Sequence, residues 1–308
     1  MSTDPSSQDT RGPSPSPRWT GRTRGGYYGN LFFIKMLRAF GLRGAFLPLP
    51  FVCAYYLLAH PAATRASAEY LARIFGPLPA WRRARYVHRH FVSMGRMLLE
   101  RMAMISDPSS FHYSFDGICH LREALALGRG LVLVSAHIGN WEAAGHLLGD
   151  IGSPVNMVGV NWEDGRIRRL FDRQMANKTF RFISMDQSPL GMIALLAALR
   201  RNEIVALHGD RSMGEDVLER PFLGRAAGIP TGAYRLAAAA GAPVVHGFSV
   251  RESFRCYRFM AYPAMIAPED TAKRDAFISE CACRYVERME ALVRRYPFQW
   301  YNFYPFWG

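Results

Sequence analysis

From about residue 110 onward, short apolar runs of strand length alternate with longer segments whose apolar residues recur at helical spacing. The pattern predicts strands at 131–135, 155–160, 181–184, 203–208, 243–250 and 255–262. It predicts helices near 118–128, 141–149, 165–178, 189–200, 231–240 and 272–295. Alternation of this kind points to the α/β class: a mixed, mostly parallel sheet flanked by helices. No internal repeat is visible.

Upstream the pattern is helical only. Ala62 to Phe75 and Trp81 to Met104 read as helices. The second sets Arg82, Arg83, Arg85, Arg89, Arg96 and Arg101 against Val87, Phe91, Met94, Leu98 and Met102, a core-facing stripe with a basic face. That face could also dock an acidic carrier protein. Leu31 to Phe40 reads as a basic amphipathic helix, and 44–59 is a run of sixteen residues without a charge. The run is short of the roughly 20 residues that span a bilayer, and Pro48 and Pro50 interrupt it. A buried core helix would also fit. Together with 31–40, however, it has the apolar length of a re-entrant hairpin or a half-inserted interfacial anchor. The first 26 residues, rich in Ser, Pro, Gly and Arg, read as a disordered basic tail without the apolar core of a secretory signal. The expected organisation is therefore a tail (1–26), a membrane-associated helical segment (27–60) and one large domain (61–308).

Charge narrows the partners. The 308 residues carry a net charge of +13, which favours anionic partners: lipid headgroups, an acidic protein or phosphorylated substrates. Nucleic acid is not expected, because no zinc-finger spacing or RNP-type segment is present. Attachment from the cytoplasmic side is expected, with Arg38, Arg43 and the basic tail on anionic headgroups. The five cysteines are odd in number and widely spread, and Cys281-Ala-Cys283 is not Cys-x-x-Cys, so reduced thiols are the simplest account.

Two segments carry candidate chemistry. Leu131-Val-Leu-Val-Ser-Ala-His137-Ile-Gly-Asn140-Trp-Glu142 places a histidine at the C-terminal mouth of a strand, where open α/β sheets hold reactive groups. Glu142, in the first turn of the next helix, can reach back to one imidazole nitrogen and fix its tautomer, as a general base requires. The spacing alone is weak, since roughly one chance His-x4-acid is expected in such a chain. The bland reading is a loop histidine with a carboxylate favoured by the helix dipole. The second segment, Gly209-Asp210-Arg211, follows the strand 203–208 and could share a crevice with His137. Arg211 could offer planar donors to a phosphate or oxyanion, with Asp210 holding it or the acceptor; a structural ion pair fits equally. Arg173 and Asn177, on the helix after the second strand, are weaker candidates.

Taken together, these blocks resemble the lysophospholipid acyltransferase superfamily. The chain is most similar to the branch of bacterial lipid A late (lauroyl or myristoyl) acyltransferases and mycobacterial phosphatidylinositol mannoside acyltransferases. His137-Ile-Gly-Asn-Trp-Glu142 matches the His-x4-acid motif, and Gly209-Asp210-Arg211 matches the family's acidic segment. Phe222-Leu-Gly224, Pro230-Thr-Gly232 and Leu236-Ala-x3-Gly241-Ala-x-Val-Val245 follow in order. The Phe-Pro-Glu-Gly-Thr-Arg string of the glycerolipid branch is absent, and the ending Gln299-Trp-Tyr-Asn-Phe-Tyr-Pro-Phe-Trp307 departs from the branch's better-known members.

The resemblance implies an acyltransferase fold and transfer of an acyl chain from an acyl carrier protein or coenzyme A thioester to a hydroxyl of a membrane glycolipid or lipid A-type acceptor. The place of work would be the cytoplasmic face of the cell inner membrane. His137 and Glu142 would be the catalytic pair, with Asn140, Arg173, Asp210 and Arg211 on the substrates. Backbone N–H groups around Gly139 and Asn140 would meet the oxyanion. No cofactor is implied, and His137 and His146 make no His-Glu-x-x-His frame, so no metal is expected. Two other classes fit the same residues: a lipid hydrolase using water as acceptor, and an idle membrane-binding scaffold.

Overall fold

A computed structural model of the chain describes residues 26–140, 151–159, 180–184, 189–211 and 216–307. The predicted helices 141–149 and 165–178, and with them Glu142, Arg173 and Asn177, lie outside the described residues.

The alternating part forms a seven-stranded sheet in the order β1-β9-β8-β2-β5-β3-β4. Its strands are β1 (His112–Asp116), β2 (Leu131–Ser135), β3 (Val155–Gly159), β4 (Phe180–Ser184), β5 (Ile204–His208), β8 (Val244–Ser253) and β9 (Cys256–Ala261). Every pairing is parallel except β8 with β9, so the sheet is mixed and mostly parallel, as the pattern predicts. β2 lies inside the sheet and is buried on both faces, which is why it reads as a continuous apolar run. Its alternate residues divide the core. Leu131 and Leu133 join Leu121, Ala124 and Leu125 of α5 (Ile118–Ala126) on one face. Val132 and Val134 join the larger cluster on the other, with α7 (Gly232–Ala240) and α8 (Arg274–Arg295).

Three strands are not legible in the pattern. β1 is a sheet-edge strand whose short period is hard to tell from a loop. β6 (Val217–Phe222) and β7 (Arg225–Pro230) form an antiparallel hairpin, with prolines at Pro221 and Pro230, in a segment that reads as loop. A two-stranded ribbon has only edges, where proline is tolerated.

The N-terminal helices are α1 (Gly26–Ala45), α2 (Leu49–Ala59), α3 (Pro61–Phe75) and α4 (Ala80–Ser106). α1 is longer than the predicted 31–40 and is broken at Gly41, whose positive φ of 65° a side-chain-bearing residue rarely adopts. No single described helix is long and apolar enough to cross a membrane. Tyr28–Ala45 and Leu49–Ala59 pass together as a pair bent by 95°. One side of this pair is core: Ile34, Leu42, Ala45, Leu49 and Cys53 pack with Leu99, Met102 and Met104 of α4 and with Tyr257 of β9. Among the described residues the other side is open, with Phe40, Leu47, Phe51, Tyr55 and Leu58 all more than 60% exposed.

Candidate active site

The pairing of β2 with β5 brings the two candidate segments together. Leu131 lies beside Ile204 and Ser135 beside His208 in parallel register. Each strand then continues two residues to its reactive group, so His137 and Asp210 emerge side by side at the C-terminal ends. Gly209 N–H donates to Ser135 O at 2.8 Å, and the Tyr285 hydroxyl of α8 donates to the same carbonyl at 2.9 Å. The two chain ends are thereby tied before either side chain is considered.

The side chains then pair directly. His137 Nδ1 lies 2.8 Å from Asp210 Oδ1, and the His137 backbone N–H donates to Oδ2 at 3.0 Å. Asp210 is 2% exposed and His137 21%. A carboxylate of this kind only accepts, so Nδ1 carries the proton and Nε2 keeps its lone pair. Burial and the Arg211 guanidinium hold the His137 imidazole below its ordinary range, outweighing the pull of Asp210. Burial alone would raise the Asp210 carboxyl, but the charges of His137 and Arg211 and the hydrogen bond from His137 hold it far below the usual carboxylate range. At neutral pH the pair is a neutral imidazole on an anionic carboxylate. The His208 ring lies against His137 with centroids 4.1 Å apart, and burial first, then His137, keep His208 unprotonated as well.

The C-terminal segment 296–307 completes the site as a strap across the strand ends. Trp300 Nε1 donates to Asp210 Oδ2 at 2.9 Å, and the Tyr304 hydroxyl donates to Asp210 O at 2.8 Å. Tyr301 N–H donates to His137 O at 2.9 Å, and Gly139 N–H donates to Gln299 O at 2.8 Å. Gly139 is required here: its φ is +59°, and a Cβ would stand 2.0 Å from Ser249 O. Arg211 donates to Tyr301 O at 3.1 Å and lies 5.4 Å from the Tyr304 ring.

The structure thus brings His137, Asp210 and Arg211 together and gives Asp210 a closer role than holding a substrate. Asp210 makes an orienting contact on Nδ1, and Glu142, for which such a contact is expected, lies outside the described residues. Asn140 is buried, with its amide 3.3 Å from Met104 Sδ. The Gly139 N–H, expected on the oxyanion, is taken by Gln299. Trp300 and Tyr304 escape sequence reading because their bonds span about 90 residues; an aromatic-rich ending was the one visible signal. His137, His208 and Asp210 each offer a possible metal-ligand atom within 4.8 Å of the others, as do Cys119, His120 and Glu123 on α5. In the first set both Asp210 oxygens also accept N–H bonds, Oδ1 from His137 Nδ1 and Oδ2 from the His137 backbone and Trp300.

Residues 27–308 match the protein family described as bacterial lipid A biosynthesis acyltransferase. A phosphatidylinositol mannoside acyltransferase of Mycobacterium tuberculosis is 27% identical over 194 residues, covering 62% of this chain and 58% of that protein. One from Mycolicibacterium smegmatis is 26% identical over 193 residues, covering 62% of this chain and 60% of that one. The match thus spans less than two thirds of the length of these curated relatives. Among solved structures, the 1-acyl-sn-glycerophosphate acyltransferase of Thermotoga maritima aligns with a TM-score of 0.36 and 10% identity, covering 81% of this chain and 98% of that one.

Proposed function

Because the chain belongs to the bacterial lipid A biosynthesis acyltransferase family, we propose that it moves a fatty acyl chain from a thioester to a hydroxyl of a membrane glycolipid, with His137 as general base. The donor would be an acyl carrier protein or coenzyme A thioester. The observation that carries the mechanism is the 2.8 Å contact of His137 Nδ1 with Asp210. It directs the imidazole lone pair to Nε2 and leaves an anion behind the ring to stabilise the imidazolium once it forms.

Nε2 takes the proton from the acceptor hydroxyl as that oxygen attacks the thioester carbonyl carbon. The tetrahedral intermediate then collapses with cleavage of the C–S bond, and the sulfur leaves with the proton held on Nε2. An ester and a thiol are the products. Nothing is consumed besides donor and acceptor, so the reaction calls for no cofactor. Arg211 supplies positive charge close to the pair and is the candidate for the oxyanion. Asn140, Arg173 and the motif carboxylate Glu142 remain assigned to the site by the family resemblance.

A glycolipid acceptor is supported by the mannoside acyltransferases among the relatives. Work at the cytoplasmic face of the inner membrane is supported by the open apolar side of α1 and α2. α1 also carries the exposed cations Lys35, Arg38 and Arg43. Exposed apolar side chains with cations on the same helix suit an anionic leaflet.

The test is mass spectrometry of total lipids from cells with the intact gene, a deletion, and His137→Ala. A lipid that lacks one acyl chain in both the deletion and the point variant is the expected result and names the acceptor. A lipidome unchanged in both would overturn acyl transfer in favour of a hydrolase or scaffold. Full acylation by His137→Ala alone would overturn the base.

A further inference from the structure

Trp300 is 0% exposed and sits among other rings, with centroids 4.9 Å from Tyr70, 5.3 Å from Phe222 and 5.0 Å from Phe306. Packing on this many sides locks the indole. A buried indole N–H needs an acceptor, and a backbone carbonyl is sufficient: Trp307, in the same cluster, donates to Phe222 O at 3.1 Å. Trp300 instead donates to Oδ2 of Asp210, the carboxylate on His137. Its own backbone is joined to the same place, since Trp300 and Ile138 form an antiparallel bridge next to His137.

We propose that Trp300 is a positioning residue for acyl transfer, whose indole N–H fixes the plane of the Asp210 carboxylate and sets the basicity of His137. The inference rests on His137 being the general base. Two donors on Oδ2, the Trp300 indole and the His137 backbone N–H, leave Oδ1 aimed at Nδ1. They also draw negative charge away from Oδ1. Without the indole donor the carboxylate gains torsional freedom, because a terminal carboxylate torsion is broad. Its less compensated charge then favours the imidazolium more strongly in a low-dielectric site. The other groups facing the pair are His208 at the end of β5, Arg211 just past it, Tyr285 of α8, and Tyr301 and Tyr304 of the strap. Of these, Arg211 acts against protonation of His137, His208 is itself held unprotonated by burial and by His137, and the three tyrosines are neutral at physiological pH.

The test replaces Trp300 site-specifically by β-(3-benzothienyl)alanine, which keeps the bicyclic shape and substitutes sulfur for the N–H, alongside Trp300→Phe. Two readouts are taken in the full chain. One is thiol release from an acyl-coenzyme A with membrane lipids of the deletion strain as acceptor. The other is the pH dependence of His137 carbethoxylation by diethyl pyrocarbonate, read by peptide mass spectrometry, which needs no substrate. The isostere should lower kcat about tenfold with KM unchanged, as loss of one hydrogen bond to a charged group implies. It should also move the His137 midpoint upward by about half a pH unit or more. The same isostere at Trp307 is the control, expected to lower the thermal midpoint alone. A Trp300 isostere with an unmoved His137 midpoint and full kcat, or equal shifts from both isosteres, would reduce Trp300 to packing. Retained turnover in His137→Ala sinks the general-base reading separately, because the carbethoxylation midpoint reports the Trp300–Asp210–His137 coupling without turnover.

Discussion

Two aromatic-rich stretches of this chain end in opposite surroundings. The strap, 296–307, turns its polar handles inward: Trp300 to Asp210, Tyr304 to the carbonyl of Asp210, and Trp307 to the carbonyl of Phe222. The bent α1–α2 pair turns Phe40, Phe51 and Tyr55 outward, beside Leu47 and Leu58. Both stretches are apolar enough to be core. The difference is that the strap crosses strand ends rich in buried acceptors, whereas among the described residues only one side of the bent pair finds α4 and β9 to pack on. An aromatic with a polar tip is bound where the interior offers a polar group, whereas an apolar side that no described residue covers stays exposed.

The sharpest way to break this comparison is at the acceptor end of the strap. Asp210→Asn keeps the shape but places an amide beside Nδ1, and should reduce kcat by about 10³-fold or more through the wrong tautomer, with membrane binding unchanged. A turnover near wild type would show that Asp210 only pins the strap. The reciprocal change is Phe51→Ser with Tyr55→Ser and Leu58→Ser. Each buried apolar side chain is worth about 1.5 kcal/mol or more, so the triple variant should bind anionic vesicles about 10³-fold more weakly while its thermal midpoint holds. Unchanged vesicle binding in sedimentation would mean that the open side is not the docking surface.

A third prediction sharpens the strap's structural share. His90 of α4 donates from Nε2 to Trp300 O at 2.7 Å and accepts from Ser67 at Nδ1. Burial, opposed only by the bond to Trp300, pushes it down from 6.5 to about 4. The unfolded chain binds this proton below about pH 6.5 and the folded chain only below about 4. Stability should therefore fall as pH drops across that window, by about 3 kcal/mol for this group, and then level off. Thermal melts of the wild type and His90→Gln across pH 4–7 check it, the variant showing the shallower slope. The smallest effect is expected for Glu142→Gln. With Nδ1 held by Asp210, its loss should cost about tenfold in kcat, well short of Asp210→Asn; the reverse ranking would return the orienting role to Glu142.

The legible part of the fold is the part with a strong local period. β2 and β5 could be placed because they are unbroken apolar runs, and α6 (Pro189–Arg200) and α8 because apolar residues recur along them at helical spacing. β1, at the sheet edge, and the β6–β7 ribbon lacked such a signal. In the site, His137 and Asp210 could each be placed at a strand mouth by counting past an apolar run. That Asp210 meets Nδ1 could not, because it stands 73 positions from His137 and no local spacing links the two.

By itself the sequence determined the class of the sheet, the elements that build its centre, the apolar excess near the N-terminus and the two segments that carry chemistry. All of these follow from periods and residue types within about twenty neighbours. Only the tertiary structure decided that β2 lies beside β5 in a register placing residue 137 against residue 210. It also decided that residues 296–307 return across both strand ends to hold that pair. Strand pairing and strap docking join residues 70 to 160 positions apart. Their energy comes from hydrogen bonds and burial that no local pattern records.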